Sequence, residues 1–303
     1  MSAKKNGTKG NEESMTPAEE QAKVKELRTL LGPLSGRSLL FCTDDCLARY
    51  LRARSWHVKK ADKMLKEAIK WRASYKPEEV RWEEVSKEAE TGKVYRANFV
   101  DKLGRSVLVM RPGNQNTTDH NGQIKQLVYT IENAIINLPS DQEQMVWLID
   151  FKGWSMRKAV PIATARETAY ILQTMYPERL SLAILYDPPK LFETFWAIVK
   201  PFLDPKTFRK VKFVYSKSAD SSKIFQDLFD MDKLEASFGG RSTSTFDCVE
   251  YGNQMKEDDL KTSRYWSSDP LTMKPDSHTN GSPTTNGTHA TPDAESAPTV
   301  LAH

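Results

Sequence analysis

Two short polar segments carry side chains that could bind or react with a ligand. Residues 176–179 read Tyr-Pro-Glu-Arg and lie between a long predicted helix and an apolar run. Residues 204–210 combine a carboxylate, a threonine hydroxyl and three basic side chains. A carboxylate accepts hydrogen bonds from a hydroxylated ligand, and a basic side chain donates them to a phosphate. From these residues alone, an exposed ion pair and a solvated turn explain the two segments more simply.

Catalytic chemistry has little support in the sequence. The histidines that a Ser-His-Asp or Cys-His pair would need lie in a helical segment, a polar loop and the C-terminal tail, at positions 57, 120, 278, 289 and 303. Asp150, Glu178 and Asp187, near predicted strand ends, fit caps and turns better than an acid/base set. The Cys42–Cys46 pair has no further ligand to complete a zinc site. We therefore predict that the protein is not an enzyme and holds no metal or cofactor.

The most unusual apolar segment is residues 190–203, which we call the gate segment. On a helical wheel, its bulky apolar side chains fall within an arc of roughly 160°, wider than the stripe of about 100° that one packing contact requires. These side chains are Leu191, Phe192, Phe195, Trp196, Ile198, Val199, Phe202 and Leu203. Basic residues follow directly, at positions 206, 209, 210, 212 and 217. The segment is either a core helix beside a solvated basic turn or a lid that covers an apolar ligand and contacts an anionic membrane.

Composition restricts the class of protein. The chain has 303 residues, 39% hydrophobic and 28% charged, which is typical of a globular protein with a substantial core. A net charge of +4 is too small to indicate a nucleic-acid partner. We find no apolar run long enough to span a membrane and no secretory signal, and the three cysteines fit a reducing compartment. These features predict a cytoplasmic protein, and no feature indicates an oligomer.

The residues above must be positioned by regular secondary structure. Along the chain, short apolar runs alternate with segments of helix length. Helices are predicted at 16–31, 44–54 and 58–75, before the first apolar run. The apolar runs 107–110, 146–150, 182–186 and 211–215 are separated by helical segments 122–138, 158–176 and 188–203. Such an alternation favours an α/β fold with a mostly parallel sheet. Residues 101–105 predict a hairpin, and 225–238 a last helix that ends at Gly239-Gly240.

Four motifs, in this order, resemble the CRAL-TRIO family and most closely its branch of phosphatidylinositol-transfer proteins. They are Leu-Arg-Ala-Arg-Ser-Trp-His-Val at 51–58, Ile-Asp-Phe-Lys-Gly at 149–153, Tyr-Pro-Glu-Arg-Leu at 176–180 and Lys-Pro-Phe-Leu-Asp-Pro-Lys-Thr at 200–207. The similarity extends from about residue 39 to residue 240. It favours the lid interpretation of the gate segment over the core helix.

The resemblance implies the architecture. It predicts an N-terminal three-helix lobe and a CRAL-TRIO lobe, whose mixed, mostly parallel sheet floors an apolar lipid pocket covered by the gate segment. We expect a disordered N-terminus at 1–15, the helical lobe at 16–90 and the lipid-binding domain at 91–245. A C-terminal extension at 246–266 and a disordered tail at 267–303 would follow.

The resemblance also assigns site residues. Arg54, Glu178, Thr207 and Lys210 occupy the positions that bind the phosphoinositide headgroup in that branch. Relatives that exchange phosphatidylcholine tend to carry a Ser-x-Thr pair after the Asp-x-Lys-Gly strand end, whereas this chain has Ser-Met-Arg at 155–157. Ser155 therefore remains only a candidate for a second-lipid site, and the resemblance favours phosphatidylinositol over phosphatidylcholine.

The sequence thus predicts a protein that binds phosphatidylinositol in an enclosed apolar pocket and transfers it between membranes. Its expected partners are this phospholipid, a second lipid and, transiently, an anionic membrane surface. Two alternatives remain open. One is a carrier of another hydrophobic ligand, such as a tocopherol, retinoid or sterol; the other is a scaffold that presents lipid to a phosphoinositide kinase.

Overall fold

The structure, a computed structural model, describes residues 15–267. The helices are α1 Pro17–Leu31, α2 Gly36–Phe41, α3 Asp44–Ala53, α4 Val58–Tyr75, α5 Trp82–Ala89, α6 His120–Ile136, α7 Ile162–Tyr170, α8 Lys190–Val199, α9 Pro205–Arg209, α10 Ala219–Leu228 and α11 Cys248–Ser267. The strands are β1 Val94–Val100, β2 Ser106–Met110, β3 Met145–Asp150, β4 Leu180–Tyr186 and β5 Val211–Val214. Within this part of the chain, no helix is both long and apolar enough to cross a bilayer.

The helices of the N-terminal lobe begin where their capping residues predict. Thr16 and Glu19 form a capping box at the start of α1, because Glu19 Oε2 accepts from the Thr16 amide at 2.7 Å and the Thr16 hydroxyl accepts from the Glu19 amide at 3.3 Å. Helices α1, α3 and α4 pack against one another through buried apolar side chains. The three predicted helices are therefore present, and the short helices α2 and α5 are additions that their sequence did not reveal.

The five strands form one sheet in the order β1-β2-β3-β4-β5. Strand β1 is antiparallel to β2, and all other neighbours are parallel, so the predicted mixed, mostly parallel sheet is confirmed. The predicted hairpin at 101–105 joins β1 to β2. There the Asp101 carboxylate accepts from the amides of Leu103 and Arg105, and Gly104 takes a positive φ of 75°.

Both faces of the central strands are covered, which explains their continuous apolar sequences. Leu108 and Trp147 belong to the core on the face packed by α3, α4 and α6, whereas Val107 and Val146 belong to the core packed by α10 and α11. Leu185 contacts the gate segment through a third, smaller cluster. Because side chains two residues apart share a face, the gate segment and the helical lobe cover the same face of the sheet.

Two predictions about the C-terminal part were wrong or incomplete. The helix predicted at 225–238 is instead α10, which ends at Leu228, followed by an extended Phe229 and a single 3-10 turn at Ala236–Phe238. Phe225, Phe229 and Phe238 are all buried, but Phe238 lies in the 3-10 turn, so its helical spacing from the other two is coincidental. The extension predicted at 246–266 had no assigned structure, yet the 20-residue helix α11 occupies it from Cys248 and continues to Ser267, the first residue of the tail predicted to be disordered.

Candidate ligand-binding site

Two of the predicted headgroup residues form an ion pair at the amino ends of neighbouring parallel strands. Glu178 lies two residues before β4, and Lys210 directly precedes β5. Lys210 Nζ donates to Glu178 Oε2 at 3.0 Å. The two side chains are 23% and 19% exposed, so solvent reaches the pair only in part. Parallel pairing of β4 and β5 is what brings these residues together across 32 positions of sequence.

Thr207 joins this pair through the short helix α9. The Asp204 carboxylate caps the helix by accepting from the Thr207 amide at 2.7 Å, and the Lys210 amide donates to the Thr207 carbonyl at 3.0 Å. Thr207, Glu178 and Lys210 line one cavity of about 30 Å³, which has room for about one water molecule. A ring-sized ligand would therefore enter only if this cavity widened.

The same cavity is lined by a tryptophan with a buried, unpaired donor, which our sequence analysis missed. Trp147, on β3, is only 6% exposed and lines the cavity. Its indole Nε1 has no hydrogen-bond acceptor among the described residues. Buried donors are almost always paired, so an orphan N–H in a cavity is a candidate ligand contact. The position looked like an ordinary strand tryptophan, and only the burial of its nitrogen identifies it.

Glu178 is held in an uncommon backbone conformation. Its φ is +59°, in the left-handed region that non-glycine residues rarely adopt. The turn arises because residues 171–175 form a π-helical turn after α7, closed by the Tyr176 amide donating to the Ile171 carbonyl at 3.2 Å, and Pro177 cannot continue a helix. Such strain concentrates at functional sites.

Tyr176 anchors this turn to the protein interior. Its hydroxyl donates to Glu132 Oε1 at 2.6 Å, and Arg72 Nη1 lies 2.6 Å from the same oxygen. Burial and the nearby Glu132 carboxylate raise the pKa of Tyr176 well above its usual value, so the hydroxyl stays a donor. Burial is the largest single effect and opposes the charge of Arg72, but Glu132, Tyr176 and Glu78 together outweigh it and raise the pKa of Arg72. The turn at 176–178, which we call the headgroup turn, is therefore held in place by contacts with the protein interior.

Arg54 is placed less centrally than the resemblance implies. It directly follows α3, and its guanidinium donates to the carbonyl of Ala53 at 3.2 Å. Ala53 lines the cavity, whereas Arg54 does not. Lys206 connects the two elements, because its ammonium donates to the Arg52 carbonyl at 2.7 Å. The structure thus brings together Glu178, Thr207 and Lys210 and leaves Arg54 at the edge.

The gate segment consists of α8 and a 3-10 turn at Lys200–Phe202. Phe192 is its buried centre, 6% exposed, with its ring centroid 4.3 Å from that of Phe151 and 5.5 Å from that of Trp154. Two of the eight apolar residues face outward: Leu191 is 55% exposed and Ile198 is 49% exposed. The remaining five are half-buried, namely Phe195, Trp196, Val199, Phe202 and Leu203.

Both ends of the gate segment have distinct backbone features. Asp187, just before it, has a positive φ of 48°. At the other end Gln173 binds two backbone groups: its amide nitrogen donates to the Phe202 carbonyl at 2.8 Å, and its oxygen accepts from the Asp204 amide at 2.5 Å. Gln173 lies in the π-helical turn. Such turns are often found at functional sites. Nothing in the sequence distinguished Gln173 from a solvated helix residue.

Ser155, the candidate for a second-lipid site, lies far from this cavity. It is exposed and follows the carboxyl end of β3, whereas Glu178 precedes the amino end of β4. Strand β4 has 7 residues, so at about 3.3 Å per residue the two edges of the sheet are roughly 20 Å apart. The structure does not bring Ser155 to the other predicted residues.

Comparisons with known proteins identify the family to which the chain is similar. The model of the CRAL/TRIO domain matches residues 89–240, and that of the CRAL/TRIO N-terminal domain matches residues 18–67. A CRAL-TRIO domain-containing protein of Schizosaccharomyces pombe is 33% identical over 72% of this chain, which is only 21% of that protein. The chain therefore spans about a fifth of the length of this relative.

Two other relatives align over most of their length. The phosphatidylinositol transfer protein PDR17 of Saccharomyces cerevisiae is 30% identical over 77% of this chain and 68% of its own. The SEC14 cytosolic factor of Candida glabrata is 30% identical over 78% of this chain and 81% of its own. Among solved structures, Sfh5 matches with a TM-score of 0.62 and 16% identity over 83% of this chain and 98% of that chain, a likeness of fold alone.

Proposed function

Because the chain belongs to the CRAL/TRIO family, we propose that it binds phosphatidylinositol under the gate segment and transfers this lipid between membranes. The observation that carries the proposal is the grouping of Glu178, Thr207 and Lys210 around the unpaired Trp147 indole in one cavity. The names of the relatives, which include phosphatidylinositol transfer proteins, support the choice of lipid. We further propose that the protein is not an enzyme and acts in the cytoplasm with transient membrane contact.

The headgroup chemistry accounts for both members of the ion pair. A phosphodiester carries one negative charge, which the Lys210 ammonium can bind through a charge-assisted hydrogen bond. The inositol ring offers several hydroxyl donors to the Glu178 carboxylate, and Thr207 adds a short hydroxyl. A sterol, tocopherol or retinoid has one polar group and no phosphate, so it cannot replace both partners of the Lys210–Glu178 pair. The pair therefore favours a phosphoinositide over those ligands.

The gate segment supplies the proposed route for the acyl chains. Aromatic side chains of α8 now fill the space above Phe151 and Phe213, so acyl chains must displace them. Each buried methylene contributes about 0.8 kcal/mol to holding the lipid. On the outer surface of the gate segment, Leu191 and Ile198 lie beside exposed basic residues. Each basic residue near an anionic membrane contributes about 1 kcal/mol to the attraction between protein and membrane. We propose that this surface meets the membrane when the segment opens.

The lipid assignment predicts what the purified protein contains and which residues hold it. Protein isolated from a eukaryotic host should carry one phospholipid per chain, enriched in phosphatidylinositol, as measured by native mass spectrometry.

Lys210→Ala and Glu178→Ala should each weaken phosphatidylinositol binding about 10- to 150-fold, because each removes a charge-assisted hydrogen bond of about 1.5–3 kcal/mol.

Lys212→Ala is the matched control, since this exposed lysine lies two residues further along β5 and outside the cavity. It should bind phosphatidylinositol like the parent chain. Recovery of only a non-phosphorylated hydrophobe would refute the headgroup assignment. Unfolding of Lys210→Ala or Glu178→Ala would instead identify that residue as structural.

Trp147 gives a separate prediction. Trp147→Phe should weaken phosphatidylinositol binding about 3- to 10-fold, because the ligand loses a hydrogen bond of about 0.5–1.5 kcal/mol from the indole. The ligand-free protein should lose no hydrogen bond, since the indole has no partner among residues 15–267. Its free energy of unfolding should therefore fall by less than about 1.5 kcal/mol, the packing effect of the smaller ring. Unchanged lipid affinity would exclude Trp147 from the site.

A further inference from the structure

A second group of charged residues lies behind the headgroup turn, where three arginines surround one carboxylate. Arg49 Nη1 is 2.5 Å from Glu143 Oε1, and Arg52 Nη2 is 2.6 Å from Glu143 Oε2. Arg179 Nη1 donates to the backbone carbonyl of Glu143 at 2.9 Å. Three guanidinium groups against one carboxylate leave two positive charges without a counterion in this cluster.

Arg179 is the least compensated of the three. The described residues offer its guanidinium one acceptor, the neutral carbonyl of Glu143, although the group has five N–H donors. Burial, and after it the charge of Arg49, lower the pKa of Arg179 to about 10. Buried guanidinium groups are usually paired with a carboxylate or phosphate. Arg179 thus keeps both charge and donors available.

The cluster opens into a cleft of about 430 Å³, a size typical of small-ligand sites, that is lined by α2 and α3 of the helical lobe, by α6 and α11 and by the loop before β3. Arg49 and Arg179 line this cleft together with the aromatic rings of Tyr50, Tyr265 and Trp266. It is distinct from the smaller headgroup cavity, but Arg179 lines both. A ligand in the cleft would therefore contact the residue directly after Glu178.

The other acids of the cleft do not neutralise the cluster. Glu132 is bound by Arg72 and Tyr176, which engage its carboxylate at 2.6 Å each. Asp45 lies one helical turn before Arg49, but it is exposed, so solvent screens its charge. The surplus positive charge therefore remains at the Glu143 end.

We propose that this cleft binds a phosphate monoester through Arg49 and Arg179, which line it, while Arg52, which does not, holds the Glu143 carboxylate. A monoester carries about −1.5 to −2 charges at neutral pH, which matches the surplus of the cluster. Guanidinium forks bind phosphate oxygens bidentately, and a lone lysine would not supply that geometry. The phosphate can belong to a phosphorylated inositol headgroup or to a free polyol phosphate. The inference does not require that the headgroup assignment above is correct.

Titration calorimetry on the full chain tests the shared chemistry with inorganic phosphate and inositol 1,4-bisphosphate as probes. Both should bind saturably. Arg52→Gln should weaken each at least 10-fold, because the Glu143 carboxylate would then pair with Arg49 alone and compete with the phosphate. Arg28→Gln is the matched control: Arg28 is 39% exposed and 2.6 Å from Asp44, whereas Arg52 is 38% exposed and 2.6 Å from Glu143. Arg28→Gln should bind both probes like the parent chain.

Glu143→Gln separates an anion site from a structural ion-pair cluster. It removes the competing carboxylate, so phosphate should bind at least 3-fold more tightly, whereas a purely structural cluster would gain nothing.

Vesicles with phosphatidylinositol 4-phosphate distinguish the two sources of the phosphate. Tighter binding to these vesicles than to inositol 1,4-bisphosphate indicates a lipid-borne phosphate, whereas equal binding indicates a free polyol phosphate. Arg52→Gln should still transfer unphosphorylated phosphatidylinositol, so the two proposals fail separately. Absence of saturable binding by every phosphate probe, or equal loss in Arg28→Gln, would overturn the inference.

Discussion

Replacing Arg72 with methionine should lower the free energy of unfolding by about 3–5 kcal/mol, the effect of removing one partner from a buried ion pair. Arg72 is buried and binds two carboxylates: Glu132 at 2.6 Å and Glu78 at 3.2 Å. Its guanidinium also lies over two rings, 4.6 Å from the centroid of Phe41 and 5.0 Å from that of Trp266. Methionine keeps most of the side-chain volume, so the loss in free energy of unfolding measures the cost of leaving the buried carboxylates without a counterion.

Urea denaturation of three variants checks this expectation. Arg28→Met disrupts an exposed pair with Asp44 and should lower the free energy of unfolding by no more than about 1 kcal/mol. Adding Glu132→Gln to Arg72→Met should recover part of the loss, because the second substitution removes the stranded charge. A loss below about 1 kcal/mol for Arg72→Met would show that the buried network contributes little to stability.

This network matters for function because it connects distant elements to the headgroup turn. Arg72 belongs to α4, Glu132 to α6, Trp266 to α11, and Tyr176 directly precedes Pro177 and Glu178. Each contact joins residues that are far apart in sequence, such as Arg72 and Glu132, which are 60 positions apart. The strained backbone of Glu178 is therefore supported by packing outside the ligand cavity.

The elements that the sequence predicts well are those with strong local patterns. Strands β2, β3 and β4 are buried on both faces, so each reads as an uninterrupted apolar run, and the helices between them follow the 3.6-residue period. Helix α1 has a complete capping box, and its predicted end at Leu31 agrees with the structure. The headgroup residues came from motif resemblance, and parallel pairing of β4 and β5 explains why Glu178 and Lys210 meet.

The features that escaped prediction depend on long-range contacts between polar groups. Helix α11 reads as a solvated segment, yet its Asp258 is 2% exposed and binds Arg96 at 2.7 Å across 162 positions of sequence. Gln173 and Trp147 likewise have no local pattern that marks them, and the motif at 176–179 does not reveal the contacts of Arg179. Their roles follow from which backbone carbonyl, cavity or carboxylate the fold places next to them, and a single sequence does not contain that information.

The second large effect is expected at the gate segment, where the structure separates an outer from an inner face. Ile198→Asp changes a half-exposed residue, so the free energy of unfolding should change by less than about 1 kcal/mol. Lipid extraction from anionic vesicles should nevertheless fall at least 10-fold, because the added carboxylate must approach an apolar, negatively charged surface. Leu260→Asp is the control, since this leucine is 60% exposed on α11, away from the gate segment.

Phe192→Asp should instead disrupt the packing of the gate segment itself, because it places a carboxylate beside the buried Phe151 and Leu185. The unpaired charge should loosen the gate segment and release bound lipid, even without membranes. Hydrogen exchange of the parent chain provides the independent measurement: residues 190–199 should open faster than β4, and faster still with anionic vesicles. Equal and slow exchange in both segments, unchanged by vesicles, together with full extraction by Ile198→Asp, would make the segment a static part of the core. In that case the lipid would need another route into the protein, because the aromatic rings above Phe151 and Phe213 would stay in place.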